Sequence, residues 1–456
     1  MKKLILFLAV LGLSMSLSAT AQSHDVAPPS EVLDIYAIAD APSADRIYTD
    51  IETLANFGTR HTLSETESDI RGIGAARRWI FEEFETISEA CGGCLEVIYV
   101  TDTISGETRI PDPTEVVSVL AIQRGTIDPN RYVMMSGDID SRVTDPLDGT
   151  SDSPGANDNA SGMAGVIEAA RILSKNEYAG SIIYAGLSGE EQGLFGGKIV
   201  AQHALDQGWE IKAVLNNDMI SNITGVDGVT DNSIVRVFSE GTRATETPEE
   251  ARLRRFTGGE VDSPSRNLAR YVKSMADQYM VNLDVMIVYR LDRYRRGGHH
   301  RPFNEVGMPG VRIMETHEHY DRQHQDLRTE NGTEYGDTLE GVDKHYAAKL
   351  TALNAITLAG MAGAPPFPAN VEASGAVSAS ATLTWETPEK ADNLSGYRVH
   401  WRVTTAPEWT HSRFVGKVNE WTFKNLVIDN YFFGVSAISH DGYETPVVFP
   451  GPAGRF

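Results

Sequence analysis

Cysteine is nearly absent from this chain, with two in 456 residues. That excludes a disulfide-built scaffold and a four-thiolate metal site. Basic residues are also scarce, 40 Lys and Arg against 63 Asp and Glu, for a net charge of −23. So acidic a surface repels nucleic acid and anionic membrane and favours solubility and metal cations. Long apolar runs are missing beyond the first residues, so no later segment reads as a membrane-spanning helix. No short-period repeat or low-complexity tract occurs. What remains is ordinary for a globular protein, 41% hydrophobic and 23% charged residues. The length suits two or three folding units.

The first residues are distinctive. Lys2 and Lys3 precede an apolar run from Leu4 to Leu13, and small residues lead to Ala19-Thr20-Ala21. A charged start, an apolar centre and an A-x-A cleavage motif define an expected signal peptide over residues 1–21. Export to the periplasm or the external medium is the expectation. In that oxidising setting Cys91 and Cys94, within C-G-G-C, are expected to form a short structural disulfide. A redox motif would have a strand before it and a helix opening at it. Here the order is reversed, with a helix pattern before and a strand from Leu95 to Val100 after.

Residues 22–43 are rich in Pro, Ala and Asp without clear period, and read as a connector or pro-segment. From 44 to 363, apolar runs alternate with amphipathic helix patterns. Strands are expected at Tyr132–Met135, Ile182–Leu187, Ile211–Leu215, Val285–Tyr289 and Val311–Met314. Helices are expected at Arg71–Phe84, Gly162–Leu173, Ser263–Met280 and Val342–Met361. Such alternation implies an α/β fold, a doubly wound, mostly parallel sheet with flanking helices. Ala364-Pro365-Pro366-Phe367-Pro368 then reads as a linker. Beyond it, short alternating runs over 364–456 fit a small all-β sandwich.

The chemistry lies just past the end of each expected strand. Tyr132–Met135 runs into Asp138-Ile139-Asp140, Ile182–Leu187 into Glu190-Glu191, and Ile211–Leu215 into Asp218. Val311–Met314 runs into Glu315, with His324 on the loop beyond. Between the first two strands, the loop around Asp158 opens a helix. Ligands of open parallel sheets bind outside the carboxyl ends of the strands. Acids converging there repel one another unless cations sit between them. A divalent metal site is therefore expected, with one carboxylate of Glu190-Glu191 ligating and the other free to accept a proton from water.

These motifs resemble the di-zinc aminopeptidases of the aminopeptidase Y type, a group that includes glutamate carboxypeptidase and glutaminyl cyclase. The resemblance covers roughly residues 44–363. It rests on P-G-A-N-D-N-A-S-G (154–162), S-G-E-E-Q-G-L-F-G (188–196), L-N-N-D-M-I (215–220), H-H-R-P-F (299–303), G-M-P-G (307–310) and the loop at His324. It implies an exopeptidase, an aminopeptidase first, using two divalent ions, zinc in the family, on peptide substrates. Asp158 would bridge the ions, with an unusual cis peptide to Asn159. Glu191 and His324 would ligate one ion, and Asp138 and Asp218 the other. Glu190 would be the general base and Asp140 the acid that orients a ligand. His300 would line the substrate cleft. Where the family has His-x-Asp, this chain has Asp138-Ile139-Asp140, which puts the second ion in question. Arg142 is the nearest cation in sequence to relieve the Asp138–Asp140 repulsion.

The tail resembles a fibronectin type III module, with Trp385, Tyr397 and Trp401 expected in its core. It would offer a surface for protein partners. Acyl transfer of the glutaminyl-cyclase kind, carboxypeptidase action and a non-enzymatic receptor-like relative are the alternatives.

Overall fold

The apolar runs assemble into one eight-stranded sheet in the computed structural model, which describes residues 26–456. The expected signal peptide lies outside the described residues. In chain order the strands are β1 (Leu95–Ile104), β2 (Thr114–Gln123), β3 (Asp128–Asp138), β4 (Gly180–Leu187), β5 (Glu210–Asn217), β6 (Ile234–Phe238), β7 (Asp284–Val288) and β8 (Gly310–Glu315). They lie in the order β1-β2-β4-β3-β5-β8-β6-β7. The central β4-β3-β5-β8 is parallel, as is β6 with β7. The pairs β1-β2, β2-β4 and β8-β6 are antiparallel, so the sheet is mixed with the parallel pairs in the majority. A short connection without a helix joins β1 to β2, and such a hairpin is necessarily antiparallel.

Nine helices occur among the described residues: α1 (Leu33–Ala39), α2 (Ala44–Ala55), α3 (Gly72–Ala90), α4 (Gly162–Leu173), α5 (Phe195–Asp206), α6 (Pro248–Thr257), α7 (Pro264–Tyr279), α8 (His300–Glu305) and α9 (Lys344–Gly363). They cover both faces of the sheet, which is why its central strands are nearly continuous apolar runs. Successive side chains of β3 point to opposite faces. Val133 and Met135 pack with Val166 of α4 and Leu353 of α9. Tyr132 and Met134 pack with Val200 of α5 and Phe303 of α8. Each such side chain, fully buried, contributes roughly 1.5–3 kcal/mol. Helix α9 is apolar almost all round because α1, α2, α4 and α7 surround it.

Two local features differ from or complete the expectations. The segment 22–43 contains α1, which buries Ile35 and Ile38. Seven residues with two buried positions are too few to register as a period. The Cys91–Cys94 disulfide is formed, linking the end of α3 to the start of β1.

After a small hairpin, β9 (Arg328–Glu330) with β10 (Thr333–Tyr335), and then α9, the tail supplies β11 (Ala369–Ser374), β12 (Ala381–Glu386), β13 (Leu394–Val403), β14 (His411–Gly416), β15 (Glu420–Phe423) and β16 (Tyr431–Ser439). These form two antiparallel three-stranded sheets, β11-β12-β15 and β14-β13-β16. Trp385 and Tyr397 meet edge to face in their core, ring centroids 5.4 Å apart. The sandwich docks on α7 through a buried ion cluster. Arg402 donates to both oxygens of Asp262 at 2.7 and 2.9 Å, and Arg270 donates to the same carboxylate at 2.8 Å. Trp409 Nε1 donates to Asn267 Oδ1 at 3.1 Å beside them. Asp262→Ala would strand two buried guanidinium groups, and a loss of about 3–5 kcal/mol is expected in urea unfolding. An unchanged midpoint and slope would show that this cluster does not hold the dock.

Candidate metal centre

Acidic side chains reach one crevice because the parallel strands end there together. Strand β3 ends at Asp138 and leads to Asp140, β4 leads to Glu190 and Glu191, and β5 leads to Asp218. The loop before α4 brings Asp158, and the loop after β8 brings His324. Those loops are held by contacts distant in sequence. Asp337 accepts the backbone N–H of Asn157 at 2.9 Å and that of Asp158 at 2.6 Å. Fully buried Arg60 donates to the carbonyls of Ile139 and Gly155, each at 2.9 Å, tying the β3 end to the Asp158 loop. Gly155 adopts φ +50, and a Cβ there would lie 2.5 Å from the Asp158 carbonyl oxygen. His324 also stands in the left-handed region at φ 56, a costly backbone for a side-chain-bearing residue that occurs where surroundings impose it. The Asp158–Asn159 peptide is cis, and so is Asp218–Met219.

Asp158, Glu191 and His324 form one group whose ligand atoms all lie within 4.8 Å of one another. His324 Nε2 is 2.9 Å from Asp158 Oδ2 and 2.8 Å from Glu191 Oε1. Two carboxylate oxygens and one imidazole nitrogen match the donor set and open fourth position of a catalytic zinc site. Although burial opposes it, Glu191 and Asp158 raise His324 to about 9, so a cation is favoured at this point. The residues present therefore fit one zinc ion.

The other expected ligands do not join this group. Asp138 Oδ1 lies 2.6 Å from His299 Nδ1, and its Oδ2 accepts from Asn159 Nδ2 at 2.7 Å. Asp218 Oδ2 is 2.9 Å from the fully buried guanidinium of Arg312, with Arg293 at 3.9 Å. Protein cations and donors thus stand on these carboxylates, which form no second ligand group among the described residues.

Three further expectations meet a different geometry. Asp140 accepts the backbone N–H groups of Glu190 at 3.2 Å and Glu191 at 3.1 Å, so it positions the Glu190–Glu191 turn. No hydrogen bond joins it to Asp138 among the described residues, and the amide donors take that role. Arg142 donates to Glu191 Oε2 at 2.7 Å and lies 2.7 Å from His324 Nδ1, away from the Asp138–Asp140 pair. His300 does not face the cleft: it is fully buried, with Nε2 2.9 Å from the Leu291 carbonyl oxygen, because α8 turns it inward. Of the positions that hold the centre together, Arg60, Asp337 and Arg312 carry no motif and follow no strand-end rule.

The cleft beside the group is about 280 Å³, and Asp158, Glu190, Glu191, Asp218 and His324 line it. Burial, then Asp218, Glu191 and Asp138, push Glu190 well above the usual carboxylate range. Burial likewise raises Asp138 to about 8 and Asp218 to about 7.

Residues 118–344 match Peptidase family M28, and residues 364–449 match the Fibronectin type III domain. A probable zinc metalloprotease of Pyrenophora teres f. teres is 40% identical, over 98% of this chain and 96% of its own length. The chain belongs to peptidase family M28. A second relative, a probable zinc metalloprotease of Leptosphaeria maculans, is 41% identical over 93% of this chain and 98% of its own. Among solved structures, the LapA aminopeptidase of Legionella pneumophila is similar with a TM-score of 0.52 at 19% identity, covering 80% of each chain. LapB of the same organism gives 0.50 at 18%, covering 74% of this chain and 76% of its own. At these identities the likeness is one of fold. This M28 chain is a zinc metalloprotease with a C-terminal fibronectin type III domain. Because Asp337 holds the backbone that presents Asp158, Asp337→Ala is expected to weaken zinc binding roughly 10–100-fold in competition with a chromophoric chelator. Unchanged affinity would remove Asp337 from the site.

Proposed function

We propose that this chain is an exported exopeptidase, an aminopeptidase, in which Asp158, Glu191 and His324 hold a single catalytic zinc and Glu190 is the general base. The observation that carries this is the group of two buried carboxylates and the partly exposed His324 imidazole, with Glu190 beside it in the same cleft. Zinc at that point supplies Lewis acidity and lowers the pKa of a water toward about 7. Glu190 takes the proton of the attacking water and returns it to the leaving amine. A carboxyl raised by burial and neighbouring acids is suited to hold that proton between the two steps. Asp140 fixes Glu190 through its backbone N–H. Arg142, on Glu191, and Gln323, donating to Asp158 Oδ2 at 3.1 Å, keep the two ligating carboxylates oriented.

The aminopeptidase reading is supported by the motifs at 154–162, 188–196 and 215–220, which resemble those of the di-zinc aminopeptidases. The similarity to the LapA aminopeptidase adds to it. The resemblance drawn from the motifs implies two ions. The pairing of Asp138 with His299 and of Asp218 with Arg312 supports one. Export rests on the sequence of residues 1–21, and no helix among the described residues is long and apolar enough to cross a membrane. We place the catalytic unit at 44–363 and the sandwich at 364–456, where a protein partner would bind.

Glu190→Gln is expected to lower kcat by at least about a hundredfold with zinc content unchanged. Full activity in that variant would refute the mechanism. Elemental analysis after removal of loosely held metal is expected to give close to one zinc per chain. A tightly held second zinc would overturn the single-ion assignment.

A further inference from the structure

The cleft that holds this acidic group is rimmed by arginines, in a chain of net charge −23. Arg109, Arg142, Arg293, Arg295, Arg296 and Arg301 all line it. Half of them are already matched to carboxylates. Arg142 pairs with Glu191 at 2.7 Å, while Arg293 and Arg296 pair with Glu318 at 3.2 and 2.9 Å. The others are not. Arg109 donates through Nη1 to the Glu191 carbonyl oxygen and has no carboxylate partner among the described residues. Arg295 makes no hydrogen bond or ion pair among the described residues, and its backbone sits in the left-handed region at φ 59. Arg301 has a long contact of 3.3 Å to the half-exposed Glu305, and its buried Nε has no partner among the described residues.

The chain makes room for these groups. A Cβ on Gly297 would lie 2.7 Å from Arg301 Nη1, so glycine there lets the guanidinium lie along the cleft wall. On the acid side, Asp158 and Glu191 belong to the zinc group and Asp218 is matched by Arg312. Glu190 is the acid left facing the substrate. The field beyond the zinc group is therefore positive, against the sign of the whole molecule. Guanidinium groups that lack carboxylates of their own recognise carboxylates bidentately.

We infer that the cleft selects peptides bearing a carboxylate next to the scissile bond, held by Arg109, Arg295 and Arg301. This rests on the peptidase reading above. The carboxylate has two sources, an Asp or Glu side chain beside the bond or the free carboxyl terminus of a short peptide. Both present the same group to the same guanidiniums.

The test compares matched peptides hydrolysed by the zinc-loaded full chain. One arm sets Glu against Gln on either side of the cleaved bond in amidated peptides. The other sets a free-carboxyl dipeptide against its amide. In at least one arm the acidic member is expected to have a kcat/KM roughly tenfold or more higher, the worth of one charge-assisted hydrogen bond. That ratio is expected to fall toward one in Arg295→Gln/Arg301→Gln and at high salt. The arm that responds names the source. Equal rates for acidic and neutral members in both arms would overturn the inference and leave the peptidase reading standing. So would a ratio that the double variant does not change. If no peptide is cleaved, the peptidase reading fails instead, and calorimetric binding of the same peptides to zinc-loaded Glu190→Gln decides the inference. Tighter binding of the acidic members, lost when Arg295→Gln and Arg301→Gln are added, supports it; equal binding overturns it.

Discussion

Buried carboxylates crowded at the ends of parallel strands need positive charge between them, and the rest of this molecule is arranged around that need. At about 4 Å, two like charges repel by roughly 4 kcal/mol at an effective dielectric constant of 20. The chain meets the repulsion in two ways. Where Asp158 and Glu191 meet His324, the donor set is that of a zinc ion. Where Asp138 and Asp218 sit, the counter-charges and donors are His299, Asn159 and Arg312. Around Asp158, Glu191 and His324 the ligand atoms converge on one point, whereas Asp138 and Asp218 each meet separate protein partners.

The scaffold makes this arrangement rigid by holding backbone rather than ligand side chains. Asp140 grips the amides of Glu190 and Glu191, and Asp337 grips those of Asn157 and Asp158. Arg60 links the β3 end to the Asp158 loop through carbonyls. These are charge-assisted hydrogen bonds in a buried setting, where leaving either partner unmatched is costly. The two-faced helical cover of the sheet supplies the dry environment in which such bonds are strong.

Much of this was legible in the sequence, because strand-end chemistry is local. Apolar runs give the central strands, and the residue just past each run gives Asp138, Glu190, Glu191 and Asp218. The linker at 364–368 and the change of period give the sandwich. What was not legible depends on contacts between distant positions. Asp337 reaches Asp158 across 179 residues, and His299 reaches Asp138 across 161. No periodicity or spacing encodes such pairs. The inward turn of His300 was hidden likewise, since H-H-R-P-F says nothing of which face α8 presents. Which pairs are antiparallel was not legible, because a strand's sequence does not state the direction of its neighbour.

The most direct test of a single zinc held by two carboxylates and one imidazole is anomalous diffraction from crystals of the zinc-loaded protein, collected on both sides of the zinc edge. One strong peak among Asp158, Glu191 and His324, with Arg312 still on Asp218, is the expected result. A peak of equal height between Asp138 and Asp218, or none at the first position, would contradict it.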